Sequence, residues 1–311
     1  MLFSKDKIVF NFRFALIISI LTISVICRAQ YRPHFSQYMF NGLSLNPAYA
    51  GSEEVFNVAA IYRTSALGKS VDGAPVTQAF ACDFPMQNPN LAIGLLVFND
   101  KASLLRQSGA YFAYCYRVQA GEGNLSFGMN VGFDLFNENY SKISIIDQND
   151  PVFLENKTSF MPNVGVGAYY YMSNFFAGLS IPYIMKYTNQ LNQPQKVSPT
   201  FSNTVIYCGT IIPAGNDLKF KPSVLFHYSG TGILIDLNSN FLFLKERLEL
   251  GASWRSNHII VGMAQFRINQ FRIGYAYDHA LRKQSIINST HEIMLRYDLN
   301  IVVKAANPIF F

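Results

Sequence analysis

Hydrophobic and polar residues alternate along much of the chain. Between residues 124 and 137, every second position is apolar: Leu125, Phe127, Met129, Val131, Phe133 and Leu135. The positions between them are small or polar: Ser126, Gly128, Asn130, Gly132 and Asp134. Because successive side chains of a β-strand point to opposite faces of the sheet, this pattern predicts a strand with one continuous apolar face.

The same alternation recurs in the last quarter of the chain, over residues 248–255 and 271–278. Two architectures produce it. A soluble sandwich buries the apolar face and leaves the other in water. A transmembrane barrel turns the apolar face to lipid and the polar face to its lumen.

Three features favour the barrel. The alternating segments are about ten residues long or longer, as a tilted membrane-spanning strand requires. Aromatic residues cluster near segment ends, as in Tyr169–Tyr171 and at Tyr275 and Tyr277, where interfacial girdles lie. Charged residues make up only 14% of the 311 positions, against about 25% in an average protein. We therefore predict an all-β fold, a transmembrane antiparallel β-barrel.

About fourteen strands are predicted, an even number as in bacterial single-chain barrels. Their approximate cores are 54–63, 76–84, 90–98, 104–118, 124–137, 160–172, 174–184, 199–211, 218–228, 231–243, 246–256, 257–267, 269–280 and 289–299. The long connections, 64–75, 138–159, 185–198 and 281–288, all follow odd-numbered strands. This segregation predicts one end with long extracellular loops and one with short periplasmic turns.

The N-terminus has the pattern of a secretory signal peptide, residues 1–29. Lys5, Lys7 and Arg13 precede an apolar stretch at 14–26, and Ala29 offers a cleavage site before Gln30. A single membrane anchor, or a lipoprotein that uses Cys27, are the weaker alternatives. The predicted organisation is then a periplasmic N-terminal segment at 30–53, the barrel at 54–299 and a periplasmic tail at 300–311, in the outer membrane of a Gram-negative bacterium.

No catalytic or cofactor-binding motif is found, so we predict a non-enzymatic protein without a cofactor or metal. The five histidines form no HExxH motif, and the chain has neither a Gly-x-Ser-x-Gly elbow nor a Gly-rich phosphate loop. Cys82, Cys115 and Cys208 lie in apolar runs without metal-ligand spacing, and we interpret them as small buried or lipid-facing residues. The acidic and amide residues of 147–150 are either a Ca²⁺ ligand set or, more simply, a solvated loop tip.

The stretch 31–52, before the first strand, lacks the alternation and is dense in aromatics, amides and turn formers. Two interpretations remain open: a plug at the periplasmic mouth of the barrel, or a surface that presents aromatic anchors to a partner. The residues chosen for either role are His34, Phe35, Ser36, Gln37, Tyr38, Met39, Phe40, Asn41, Asn46, Pro47, Ala48 and Gly51.

Two motifs in this stretch carry a family resemblance. The runs Pro33–Asn41 and Leu45–Gly51 resemble the N-terminal signature of the PorP/SprF family of type IX secretion system outer-membrane proteins. His291–Leu295 and Asn307–Phe311 resemble the start of its last strand and its aromatic terminus. The resemblance implies an adaptor or scaffold in secretion or in surface attachment of adhesins during gliding. The implied partners are periplasmic ring components and a secreted surface protein with a C-terminal secretion domain. The apolar outer face predicts contact with outer-membrane lipid, and the modest net charge of +6 predicts no nucleic-acid partner.

The alternative function is a porin or small-molecule transporter. A barrel of this strand number encloses either a narrow pore or a filled lumen. The inward positions include many Gly, Ser and Asn, and we expect few charges among them, whereas a porin carries a charged constriction. This expectation favours a filled or ligand-holding lumen.

Overall fold

The computed structural model describes residues 35–65, 73–139, 156–188, 196–215, 217–230, 232–282 and 288–299. The strands are β1 Phe56–Thr64, β2 Val76–Pro85, β3 Leu91–Ala102, β4 Leu105–Ala120, β5 Gly123–Glu138, β6 Lys157–Tyr171, β7 Phe175–Ile181, β8 Met185–Thr188, β9 Lys196–Pro199, β10 Asn203–Thr210, β11 Ile212–Pro213, β12 Lys219–Ser229, β13 Gly232–Phe243, β14 Leu248–Arg255, β15 Ile259–Ile268, β16 Phe271–Ala280 and β17 Ser289–Leu299. Three 3₁₀ turns precede them, Tyr38–Phe40, Gly42–Ser44 and Pro47–Tyr49. No helix among the described residues is long and apolar enough to cross a membrane.

Fourteen of the strands form a closed antiparallel barrel. Neighbours in sequence pair from β1 to β7, β10 joins β7 to β12, and the pairing continues to β17, which closes on β1. The short β11 extends the edge of β10 and pairs with the start of β12. All fourteen predicted strands are present, so the predicted fold class is confirmed.

The two faces of each strand differ as the alternation predicts. On β5, Phe127, Met129 and Val131 are 52, 49 and 52% exposed, whereas Ser126 and Asp134 are buried. The same contrast on β14 exposes Leu250 and Trp254 and buries Glu249, Ser253 and Arg255. An apolar outer face fits lipid, and the buried polar face lines the interior.

The connections separate into two ends. The connections that follow the first, third, fifth and later odd members of the fourteen barrel strands, counted in chain order, lie at one end, which we call the long-loop end. They include 65–75 after β1, 139–156 after β5 and 281–288 after β16. The others, such as 121–122 and 269–270, form the short-turn end. Residues 185–198, which the sequence predicted as a loop, contain a small hairpin of β8 and β9 at the long-loop end. The acidic group at 147–150 lies outside the described residues, as do the leader and the tail.

Residues 35–55, here called the luminal segment, run inside the barrel. Ser36 bonds to Arg63 and Glu292, which lie near the long-loop ends of β1 and β17. Gly51 bonds to Asp83, near the short-turn end of β2. The segment therefore follows the length of the lumen before β1 begins.

The buried apolar side chains of the molecule gather around this segment. One cluster joins Phe35, Phe40 and Leu43 to wall residues such as Leu96 and Tyr111. A second cluster joins Tyr38 and Ala48 to Tyr169, Tyr207 and Leu225. The hydrophobic core thus lies within the barrel, with the luminal segment at its centre.

Candidate functional site

The first anchor of the luminal segment is a carboxylate at the long-loop end. Glu292 Oε2 accepts the backbone N–H of Ser36 at 2.9 Å, and Oε1 accepts that of Gln37 at 2.8 Å. The Gln37 side chain donates in turn to the backbone oxygen of Glu292 at 3.2 Å. Glu292 is fully buried because its position on β17 points inward. Two backbone donors that the segment's irregular path leaves unpaired are thereby satisfied.

A chain of ion pairs surrounds this anchor. Arg63 contacts Asp278 at 2.8 Å and Glu292 at 3.0 Å, and it donates to the Ser36 hydroxyl at 2.6 Å. The hydroxyl of Ser36 donates to Asp278 at 2.7 Å. On the far side, Arg255 contacts Asp278 at 3.6 Å and Asp236 at 3.1 Å. Ser36 is therefore built into a buried network of side chains from five strands.

The middle of the first motif contacts the β12–β13 wall and β17. The Tyr38 hydroxyl accepts from Asn238 Nδ2 at 2.7 Å. The Met39 sulfur lies 3.9 Å from the Ser223 hydroxyl and 3.8 Å from Asn240 Nδ2. Arg296 donates to the backbone oxygen of Phe40 at 2.9 Å. These contacts explain why the motif combines aromatic residues with polar ones.

The second motif is organised by Asn46. Its Oδ1 accepts the backbone N–H of Ala48 at 2.9 Å, which caps the turn that Pro47 begins. Its Nδ2 donates to the backbone oxygen of Ala168 at 2.9 Å and to the Tyr207 hydroxyl at 3.3 Å. One amide therefore both shapes the turn and fixes it to β6 and β10.

The wall makes room for this turn with glycine. A Cβ on Gly128 would overlap the backbone of Pro47 and Ala48, and one on Gly167 would overlap the Asn46 amide. The thiol of Cys115 donates to the backbone oxygen of Ala48 at 3.4 Å. The small inward residues of the alternating pattern thus leave space for a close backbone approach.

The segment is anchored again at the short-turn end. Gly51, at φ +68°, donates its N–H to Asp83 at 2.6 Å. Glu53 forms ion pairs with Arg296 and, at 3.5 Å, with Arg272, and accepts from the Tyr49 hydroxyl at 2.6 Å. Burial alone raises the pKa of Glu53, but the positive charges of Arg296 and Arg272 and its hydrogen bonds outweigh burial and lower the pKa to about 2.

Eleven of the twelve residues chosen from the sequence lie in the described part of the segment, and His34 lies outside it. Apart from the half-buried Met39, all of them are buried, Phe35 and Asn41 included. The structure therefore brings them together along one buried strip against the wall.

The residues that hold the segment from the wall were not chosen from the sequence. Arg63, Asp278, Glu292 and Arg296 all occupy inward positions of the alternating pattern. The expectation of few inward charges was wrong, because the lumen is lined by buried ion pairs on many strands. The sequence did offer a signal for these residues, namely a charged residue at an inward-facing position of an alternating strand. Arg255 and Asp278 already lay on the polar face of their strands in the sequence pattern.

Two apolar cavities flank the luminal segment. One, of about 100 Å³, lies between Met39, Tyr49, Tyr169, Phe176 and Tyr207. The other, of about 60 Å³, is lined by Phe35, Leu96, Tyr183 and Leu225 among others. Leu45 borders both. Within the described residues, no group of three or more His, Cys, Asp or Glu side chains has a metal-binding arrangement.

Solved structures share this fold at low sequence identity. The toluene transporter TbuX of Ralstonia pickettii is 10% identical, with 83% of this chain and 92% of that chain covered and a TM-score of 0.54. The monoaromatic hydrocarbon channel CymD is 9% identical, with 83% and 91% covered and a TM-score of 0.50. These likenesses establish an outer-membrane β-barrel fold. No curated protein sequence matches the chain.

One family model covers most of the sequence. It is the model of the type IX secretion system membrane protein PorP/SprF, and it matches residues 27–297. The matched range contains both motifs of the luminal segment and every strand of the barrel except the last residues of β17. The chain belongs to the PorP/SprF family of type IX secretion system membrane proteins.

Proposed function

We propose that this barrel is a non-enzymatic adaptor or scaffold of the type IX secretion system that supports secretion or surface attachment of adhesins. The observation that carries the proposal is the family match over residues 27–297. A lumen occupied along its length by residues 35–55 supports it, because such a lumen suits a docking platform better than an open pore. The short-turn end faces the periplasm in this proposal, as in other barrels of the outer membrane.

Two kinds of partner follow from this role. Periplasmic ring components of the secretion system approach the short-turn end. A secreted surface protein with a C-terminal secretion domain is held at the long-loop end, which carries the connections 139–156 and 182–202. Outer-membrane lipid surrounds the apolar outer face.

An affinity purification tests the adaptor role. The tagged full chain is extracted from outer membranes in mild detergent, and the proteins that follow it are identified by mass spectrometry. We expect ring components, one secreted protein with a C-terminal secretion domain, or both. Recovery of the barrel without either, from cells that express both, contradicts the adaptor role. A tagged unrelated outer-membrane barrel controls for non-specific capture.

Exchange of the long loops localises the adhesin. Replacement of 138–159 or 185–198 by a short turn is expected to release the secreted protein into the medium while barrel abundance in the membrane stays constant. Secreted protein that remains on the cell surface places its binding site elsewhere on the barrel.

Small-molecule transport is the second candidate function. The apolar cavities beside Leu45 favour it, and the fold likeness to TbuX and CymD, a toluene transporter and a monoaromatic hydrocarbon channel by their names, points the same way. Uptake of labelled toluene into proteoliposomes separates the two functions. Protein-dependent uptake supports transport, and uptake equal to that of empty liposomes leaves the adaptor role as the function.

A further inference from the structure

We propose that the short-turn mouth of the barrel binds an oxyanion between β12 and β16. A cavity of about 180 Å³ opens there. Its polar lining consists of Lys221, Glu246, Arg247, Glu249, Gln265, Arg267 and Arg272. This site is separate from the adaptor role and rests on the side chains of the mouth alone.

Three arginines stand side by side on the inner wall at this end. Arg267 on β15 lies directly opposite Arg272 on β16, and Arg272 lies opposite Arg296 on β17. Like charges in directly opposed positions of a sheet destabilise it unless anions lie between or beside them. An anion beside each of the three arginines would therefore stabilise this arrangement.

Among the described residues, the carboxylates of the mouth form ion pairs with two of these three arginines. Asp298 contacts Arg272 and Arg296, each at 2.7 Å, and Glu53 contacts the same pair. Within the part of the chain that the structure describes, Arg267 forms no ion pair, and its Nε donates only to the backbone oxygen of Asn269 at 3.3 Å. One guanidinium at the edge of the cavity is left without an anion.

The other charges of the cavity do not compensate for this. Lys221 contacts Glu249 at 2.6 Å, so this pair is neutral overall. Lys219 contacts Glu246 at 2.5 Å in the same way. Arg247, whose backbone oxygen accepts the N–H of Arg267 at 2.7 Å, has no ion pair among the described residues. Two uncompensated positive charges therefore border one cavity.

A buried neutral donor also points into the cavity. Gln265 is only 6% exposed, and its Nε2 has no hydrogen-bond partner in the described structure. A buried amide donor without a partner costs free energy that an acceptor would recover. Gln265 stands one inward position from Arg267 on β15, so one acceptor group can be reached by both.

These donors fit a carboxylate or a phosphate. The planar fork of arginine bonds either oxyanion through two parallel N–H groups, and the amide supplies a further donor. A cavity of about 180 Å³ holds one such group and excludes a nucleotide or a sugar chain. The oxyanion comes either from an acidic side chain of a protein segment at the short-turn end or from free phosphate.

Binding of two probes to the full chain in detergent tests the site. Fluorescent hexaglutamate is titrated by anisotropy at low salt, and inorganic phosphate is added as competitor. Arg267→Gln is expected to weaken binding roughly tenfold through loss of a charged hydrogen bond. Arg106→Gln is the matched control, because Arg106 is an exposed arginine at the long-loop end that bonds to Asn99.

A second variant distinguishes the contribution of the Gln265 amide to binding from that of the Arg267 charge. Gln265→Met removes the neutral donor at nearly constant volume, and we expect weaker binding with an unchanged dependence on salt. Arg267→Gln is expected to reduce the salt dependence as well, because it removes a charge. Heat-modifiable migration in gels verifies that each variant is a folded barrel.

The outcomes identify the source of the anion or overturn the site. Hexaglutamate that binds more tightly than phosphate identifies an acidic protein segment. Phosphate that binds as tightly as the peptide identifies the free ion. The site is overturned if neither probe binds, if Arg267→Gln binds as the natural chain does, or if Arg106→Gln lowers the affinity equally.

Discussion

Glu292 shows how one side chain fixes an irregular segment inside a barrel. Residues 36 and 37 do not belong to a sheet, so their backbone N–H groups need acceptors other than strand neighbours. The two oxygens of Glu292 supply these acceptors, and Arg63 balances the charge of the carboxylate at 3.0 Å. Removal of either partner would leave a buried charge without compensation.

Glu292→Gln tests this anchor. The substitution keeps the shape but removes the ion pair with Arg63, and we expect the free energy of unfolding to fall by about 3 kcal/mol, as for other broken buried pairs. Urea unfolding of the barrel in detergent micelles measures the change. Glu122→Gln, at an exposed glutamate in the turn between β4 and β5, is the matched control and should leave stability unchanged. Equal stability of the two variants would contradict the role given to Glu292.

Glu53 gives a pH-dependent prediction at the other end of the segment. Its pKa falls from 4.5 to about 2 in the folded barrel, so the stabilisation is complete above pH 4.5 and is lost as pH falls towards 2. Because the side chain is 27% exposed, we expect a contribution of about 2 kcal/mol rather than the full value of the shift.

Comparison of the natural chain with Glu53→Gln over pH measures this contribution. The difference in unfolding free energy should be constant above pH 4.5 and should shrink below it. Glu122→Gln again supplies the control, since that side chain is exposed and forms no ion pair with Arg296. A difference that grows on acidification would show that the sign is wrong.

At the scale of elements, the strands were predictable because burial has a period of two. Phe127 and Met129 face outward and Ser126 and Asn130 face inward, as the sequence pattern required. The alternation within one strand is therefore enough to predict which of its faces is buried, and the positions of its neighbours are not needed. The fourteen strands and the separation of long from short connections follow from such local information.

The contacts of the luminal segment were not predictable in this way. Ser36 and Asp278 are 242 residues apart in sequence and meet only because the barrel closes. The hairpin of β8 and β9 was missed because four-residue strands leave too few positions to show an alternation. Composition marked the segment as unusual, but its path depends on inward residues at distant positions of the wall, such as Asp83, Tyr207 and Glu292.

The close fit between this segment and β5 gives a prediction at the scale of elements. In Gly128→Ala, the added methyl group meets the backbone of Pro47 and Ala48, which cannot move without loss of the Asn46 cap. We expect the turn Pro47–Tyr49 to be displaced, and limited proteolysis of the folded barrel to cleave the segment faster. The unfolding free energy should fall by about 1 to 3 kcal/mol through overpacking.

Gly262→Ala is the matched control for this substitution. Gly262 also lies on a barrel strand, but a Cβ there meets nothing within 4 Å. Its proteolysis pattern and stability should equal those of the natural chain. If Gly128→Ala behaves as Gly262→Ala does, the segment does not pack against β5 in the folded protein.

At the scale of the whole molecule, the barrel and its segment form one buried unit. Hydrogen bonds and ion pairs hold residues 36–53 at both ends, and the two apolar clusters fill the space between them. Two cavities beside the segment have volumes of about 100 and 60 Å³, and Leu45 borders both. We therefore predict that the segment leaves ions no wide aqueous path through the lumen.

Deletion of residues 35–51 tests this conclusion on the assembled protein. The strands begin at Phe56, so the deletion leaves every barrel pairing intact while it removes the side chains that fill the lumen. The inner wall then keeps its charged residues, including Arg63, Asp278 and Arg296, and becomes a polar channel. We expect ion conductance in planar bilayers to rise from the baseline of the natural chain to stable open-channel steps.

Gly262→Ala controls for insertion and handling in the same bilayers and should stay at the baseline. The deletion variant must also migrate as a folded barrel in unheated gels, so that a leak through unfolded protein is not counted. Stable open-channel steps in the deletion variant alone would show that the segment seals the lumen. Conductance that stays at the baseline after deletion, in a barrel shown to be folded and inserted, would mean that the wall itself closes the lumen and that the segment serves to bind rather than to seal.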